Sequence, residues 1–338
     1  MSDMADAIRF FYSGNLEAAE SILETIVKEE QLNVNALTRY GAVLEGLGKT
    51  REAGDVYKRL AWVYYREQSY AECLGVLEKA MQYLPEDDTL LSLKGKCLYY
   101  LARYREALPH FTMAPPDVET SLYTGKTYFA LKQYSEALQE FQSIRKKGIS
   151  KENKQQADYW IGKSFLALGE YAKAIPYLVN YKEEHNGETQ IYLDLAICNL
   201  ESGKLDQAEN LLMEYQEMGG NADLAKLYLG MVSYHRGNME KALEFFNDTE
   251  ANEMVLRWKG FTYYGMGLYE EAIDCLSILL KTSDELYLLK TIGNAHLKLG
   301  NYYEAKMLFE KAIDENGPEQ ELEKLLAIAI HYLGMDDS

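Results

Sequence analysis

Five histidines, four cysteines and a surplus of carboxylates are the residues of this chain that chemistry could use. Acid–base catalysis or metal binding would need them at spacings that bring them together. His110, His185, His235, His296 and His331 are widely separated in sequence, and none belongs to an HExxH or similar ligand pattern. Cys73, Cys97, Cys198 and Cys275 form no CxxC pair. Each stands among apolar positions at helical spacing, as a reduced, buried thiol does. No Gly-rich phosphate loop and no GxSxG elbow occurs. Adjacent acids such as Glu270 and Glu271 fall at a helix start, where the dipole and solvent account for them. The sequence thus specifies no catalytic residue, no cofactor and no metal site, and it points away from an enzyme.

The bulk composition narrows the function further. The 338 residues carry a formal charge of −18, spread unevenly. Residues 186–338 hold 27 acids against 12 Lys and Arg, whereas residues 1–185 hold 26 against 23. So acidic a C-terminal half would repel nucleic acid and anionic membranes. Its acids also keep a long helical protein soluble. With 47% hydrophobic residues and only 6 prolines, the chain has material for a large core and not the composition of a disordered linker. The longest apolar runs, such as residues 325–330, are far too short to cross a bilayer. The opening residues MSDMADAIRFF place acids where a signal peptide needs bases. The expectation is a cytoplasmic protein without membrane insertion.

The elements that would position any site are announced by one recurring phrase. A small residue is followed by an aromatic or Leu, two further residues and Ala, as in residues 203–208 (GKLDQA), 237–242 (GNMEKA) and 300–305 (GNYYEA). Its closing Ala or Cys falls at 19, 53, 73, 107, 137, 174, 208, 242, 272 and 305, with most gaps close to 34. A fixed period of this size marks a repeat architecture. Apolar residues at helical spacing stand on both sides of the phrase, as with Leu289 and Ile292 before it and Leu308 and Phe309 after it, so each unit reads as two helices. The opening Gly suits a helix end and turn. A second Gly recurs twelve residues before the Ala, at 41, 95, 125, 162, 230, 260 and 293. Gly inside a helix costs about 1 kcal/mol relative to Ala, so its repetition needs a packing reason. Close backbone approach to the facing helix, with the phrase's own Ala opposite, is the expected one.

These residues resemble the tetratricopeptide repeat family. The similarity is close in the last unit, at Leu289, Ile292, Gly293, Gly300, Tyr302, Ala305, Phe309 and Ala312, and in residues 54–87, at Tyr57, Leu60, Ala61, Tyr64, Cys73, Leu77, Ala80 and Pro85. The resemblance implies an all-α, right-handed superhelical solenoid of about ten antiparallel helix pairs. Residues 319–333 read as a C-terminal capping helix. One gap departs from the period: only 20 residues separate Ala53 from Cys73. A helix near 51–66 would then have to serve two units. This predicts a phase break near 50–70, with a short array over residues 1–67 meeting a main array over 54–317. The polar stretch 146–155 is a second candidate loop.

In that family a concave wall of first helices binds segments of other proteins. Carrying its wall positions over unit by unit places Lys96, Lys126 and Lys163 at one equivalent position in successive units, with Tyr99, Tyr100, Phe129 and Tyr159 beside them. Such a wall suits an extended acidic segment; lysines snorkelling into a wet groove would look the same in sequence. Further on, the wall turns apolar at Leu193, Ile197, Leu200, Leu227, Met231 and Tyr234, and the following repeat offers Arg257, Phe261 and Tyr264, with Trp258 adjacent. That surface suits a basic or apolar amphipathic segment, unless tight coiling buries it. The family's carboxylate clamp is incomplete, because Lys290 and Asn294 lack the partners that later units would supply. The resemblance implies a non-catalytic scaffold, adaptor or assembly chaperone. A peptide-sensing regulator acting through an output partner is the alternative.

Overall fold

The computed structural model describes residues 2–147, 150–280 and 285–336. Every regular element among them is helical. The chain begins with α1 (Ser2–Tyr12), α2 (Leu16–Glu29), α3 (Val34–Gly46), α4 (Thr50–Arg66), α5 (Tyr70–Tyr83), α6 (Asp88–Tyr100) and α7 (Tyr104–Met113). It continues with α8 (Val118–Ala130), α9 (Tyr134–Lys146), α10 (Lys151–Ala167) and α11 (Tyr171–Glu184). Next come α12 (Thr189–Glu201), α13 (Leu205–Glu217), α14 (Ala222–His235), α15 (Met239–Asn247) and α16 (Glu253–Met266). The last are α17 (Tyr269–Leu279), α18 (Leu286–Lys298), α19 (Tyr302–Asn316) and α20 (Gln320–Asp336). Helices adjacent in sequence pack as antiparallel hairpins within two compact units, Met1–Tyr181 and Lys182–Ser338.

The recurring phrase forms the hairpin turn. In all ten turns the residue five before the closing Ala or Cys has positive φ, between 57° and 81°. It is Gly in seven turns and Gln68, Ala102 or Lys132 in the other three. That left-handed residue ends one helix and reverses the chain within a few residues. Side-chain caps start many of the helices: the Asn33, Asp117, Asn221 and Asn252 side chains accept from backbone N–H groups in the first turns of α3, α8, α14 and α16.

Within each hairpin the repeated Gly has a different partner from the one expected. The residue facing it is the large side chain sixteen positions later, not the phrase's Ala. A Cβ built at Gly95, Gly125, Gly230 or Gly293 would lie under 3.0 Å from the ring of Phe111, Phe141, Phe246 or Phe309. Gly41 faces Tyr57 in the same way, while Gly162 and Gly260 face Leu178 and Leu276. Where the sequence has Ala in place of this Gly, at Ala7, Ala61 and Ala196, the residue sixteen later is Leu23, Leu77 or Leu212. No ring stands opposite an Ala. Each of these large side chains is at most 3% exposed. Burying one contributes about 2 kcal/mol, more than the cost of its Gly.

Helix α4 serves two hairpins. As a second helix it places Tyr57 on Gly41 of α3. Toward α5, the Cys73 thiol donates to the Ala61 carbonyl at 3.1 Å. Among the described residues, ten hairpins are therefore built from the first nineteen helices. The twentieth, α20, buries Leu322 and Ala329 in a cluster with Leu289, Ala305, Phe309 and Ala312. The polar stretch 146–155 is loop only in small part, since α9 runs to Lys146 and α10 starts at Lys151; residues 148 and 149 lie outside the described residues.

Candidate partner-binding face

In the first unit, the first helices α4, α6, α8 and α10 carry two groups of rings, with Lys126 between them. Trp62 meets Tyr65 edge-on at 5.7 Å, and Tyr65 lies 6.2 Å from Tyr100 of α6. Tyr100 stacks on Tyr70 at 4.7 Å, and its hydroxyl lies 2.7 Å from that of Tyr123 on α8. Tyr99 packs edge-on against both Tyr100 and Tyr123. On α10, Trp160 meets Phe129 at 5.3 Å and Tyr159 at 5.5 Å, and Tyr159 reaches Tyr181 at 4.7 Å. Burial raises the hydroxyl pKa of Tyr65, Tyr99 and Tyr123, so these phenols stay neutral donors at physiological pH.

The three lysines along these rings are not equivalent. Lys96 is only 3% exposed, and its Nζ lies 2.7 Å from Glu119 of α8. It is thereby committed to an internal ion pair, rather than standing open in a ladder. Lys126 is half-buried, with Nζ 5.3 Å from the Tyr123 ring and 5.4 Å from the Trp160 ring. Among the described residues no carboxylate reaches it. Burial lowers its pKa, with no acid to offset the loss of hydration. Lys163 is also half-buried, 6.0 Å from the centre of the Tyr159 ring. Among the described residues, Lys126 is thus an ammonium held between two rings without a counter-charge.

Sequence reasoning did not single out Tyr123, Trp160, Trp62 or Tyr65. The signal for the first two was local. Tyr123 precedes Lys126, and Trp160 precedes Lys163, by three residues, a spacing that puts side chains on one helix face.

In the second unit most of the expected apolar wall is internal. Leu193, Leu200, Leu227 and Met231 are buried at 4% exposure or less, so tight packing, not an open groove, holds them. Ile197 is half-buried. The rest of the wall is a chain of rings: Tyr234 meets Trp258 at 5.3 Å, Trp258 meets Phe261 at 6.0 Å, and Phe261 meets Tyr287 at 5.0 Å. Phe261 is buried, whereas Tyr287 is exposed. Tyr264 packs against Tyr269. The Arg257 guanidinium is engaged by both oxygens of Glu285 and by Glu253.

The tetratricopeptide repeat profiles match residues 122–184, 165–229 and 291–317. The chain belongs to the tetratricopeptide repeat family. A profile of subunit 3 of the anaphase-promoting complex, or cyclosome, also matches residues 29–114 of this tetratricopeptide repeat protein. Its fold is that of tetratricopeptide solenoids of known structure. The Cut9-Hcn1 hetero-tetramer of APC/C is similar with a TM-score of 0.57 and 17% identity, over 95% of this chain and 74% of that one. A tetratricopeptide repeat protein from Parabacteroides merdae matches with a TM-score of 0.50 and 14% identity, over 83% of this chain and 99% of its own. The type IV pilus biogenesis factor PilW matches with a TM-score of 0.50 and 20% identity, over 59% and 93%. No curated protein matches by sequence. Among the described residues no helix of this tetratricopeptide repeat protein is long and apolar enough to cross a membrane, and no three His, Cys, Asp or Glu side chains group as a metal site requires.

Proposed function

We propose that this tetratricopeptide repeat protein is a non-catalytic scaffold or adaptor whose first unit holds an extended acidic segment of a partner protein. The observation that carries the reading is Lys126. A cation kept half-buried between Tyr123 and Trp160, without a carboxylate, pays a desolvation cost that a carboxylate from a partner would relieve. Trp160, Tyr99 and Tyr100, which are half-buried or exposed, offer apolar surface to the rest of the segment. An assembly chaperone would use the same contact. A second docking surface in the second unit, for an apolar or basic amphipathic helix, is favoured by the exposure of Tyr287 beside Phe261.

The test is selection of bound peptides from a random library, followed by titration against Lys126→Glu and Tyr287→Ala proteins. The reading expects enrichment of Asp- and Glu-containing peptides whose binding Lys126→Glu abolishes. Enrichment of peptides indifferent to Lys126→Glu would contradict it.

A further inference from the structure

Helix α4, shared between two hairpins, lines a cleft. One face of α4 lines it with Lys58, Arg59, Trp62 and Arg66, and the α2–α3 loop closes it with Leu32; its volume is ≈ 400 Å³. The walls are held from both directions. The Arg59 guanidinium donates to the carbonyls of Val27 and Gln31 at 3.0 and 2.6 Å, which pins the loop against α4. Lys58 pairs at 2.5 Å with Asp87, the residue that caps α6. Three bases face one acid, Asp55, in a chain of net charge −18. Two of the bases are spent on these internal contacts. Arg66 is exposed and, among the described residues, has neither an ion-pair nor a hydrogen-bond partner. It lies one helical turn beyond Trp62 on the same face.

Trp62 is also the first ring of the group that leads to Lys126. Ring contacts from Trp62 through Tyr65 and Tyr100 to Tyr123 therefore link the cleft to the Lys126 site. We infer that the α4 cleft is a second anion subsite on this surface, in which Arg66 takes a carboxylate of the same acidic segment while Trp62 and Leu32 take an adjacent apolar side chain. The inference rests on the reading of Lys126 given above, and it fixes the spacing of the ligand. From α8 to α4 is two helix-to-helix steps of about 10 Å each. A segment extended at about 3.3 Å per residue covers that distance in about six residues. The preferred partner sequence thus carries two acidic residues about six positions apart, with apolar or aromatic residues between them.

The probes are synthetic peptides with an aromatic-containing middle and either one glutamate or two, the two being about three, six or nine residues apart. Calorimetric titration is made with the wild-type full chain and with Arg66→Glu, Arg66→Gln and Lys126→Glu. Arg66 is exposed, and circular dichroism of each variant checks that the fold is kept. The expected result is that the six-residue spacing binds about tenfold more tightly than one glutamate. Arg66→Glu and Arg66→Gln remove that gain, and a peptide with Lys in place of the second glutamate regains it on Arg66→Glu. If both Arg66 variants keep the gain, or if spacing has no effect, the α4 subsite is refuted while dependence on Lys126 still supports the first reading. If Lys126→Glu leaves affinity unchanged, the Lys126 reading fails and with it the two-point register, whatever Arg66 does.

Discussion

The Phe309 ring packs so closely on Gly293 that a Cβ at position 293 would sit 2.6 Å from Phe309 Cε1. The same pairing, sixteen residues apart, recurs through both units. Its strictness predicts opposite outcomes for one substitution at two places. Gly293→Ala overpacks the hairpin at a cost of about 1–3 kcal/mol, which exceeds the helix propensity gained. Gly75→Ala, in the middle of α5 with open space around it, stabilises by about 0.5–1 kcal/mol. Urea unfolding of the two variants checks the signs. If Gly293→Ala proves as stable as Gly75→Ala, the packing account of the repeated Gly is wrong.

Gln68, Ala102 and Lys132 hold the left-handed turn position that Gly holds elsewhere. A side chain there costs about 1–2 kcal/mol, partly returned because Gly loosens the unfolded chain. Each change to Gly is expected to stabilise by about 0.5–1 kcal/mol, and Gly203→Ala to destabilise by about 1 kcal/mol. Thermal melts of the four variants measure this directly.

Lys126 and Lys96 are expected to separate stability from binding. Lys126→Met removes an uncompensated, half-buried charge while keeping the length of the chain. It should leave stability unchanged or raise it by about 1 kcal/mol, yet abolish acidic-peptide binding. Lys96→Met removes a lysine already paired with Glu119. It should change peptide affinity by no more than about twofold, since that charge is not offered to a partner. Equal losses of affinity from the two variants would show that the lysines act as an undifferentiated basic surface.

The same burial gives stability a pH dependence. The pKa of Lys126 is lower in the folded chain than its unfolded value near 10.5. Between those two values the unfolded state binds more protons, so the penalty of the buried charge is relieved as pH rises through that window. Below the depressed pKa the penalty is fully present. Relative to Lys126→Met, the wild type should therefore gain stability from neutral to alkaline pH. Paired urea titrations across that range detect the difference, and parallel profiles would contradict it.

The fold was legible because its determinants are short-range and repeated. The turn residue, the small Ala and the mid-helix Gly stand at fixed distances within one hairpin, so the period exposes them. The Phe or Leu opposite the Gly was visible in sequence too, but its contact was not, since only the crossing of the two helices makes them neighbours. The binding face was legible in part. Equivalent positions gave three lysines of apparently equal standing. Their difference comes from the next hairpin, where Glu119 reaches back to Lys96, whereas among the described residues no acid reaches Lys126. Likewise Leu193, Leu227 and Met231 are apolar whether a groove is open or filled, and only packing shows that it is filled. The cleft at α4 was hidden for a further reason. Its lining joins the α2–α3 loop to a helix that begins about twenty residues later, a juxtaposition that depends on how the shared helix packs.

The most direct measurement is the titration of the Lys126 side chain itself, followed by NMR of selectively labelled lysines with and without an acidic peptide. The account predicts a pKa below that of the exposed lysines in the free protein, rising when the peptide binds as its carboxylate supplies the missing counter-charge. A Lys126 resonance that titrates like the exposed lysines, or whose pKa does not move on peptide binding, would contradict the claim that this face is built to receive an acidic segment.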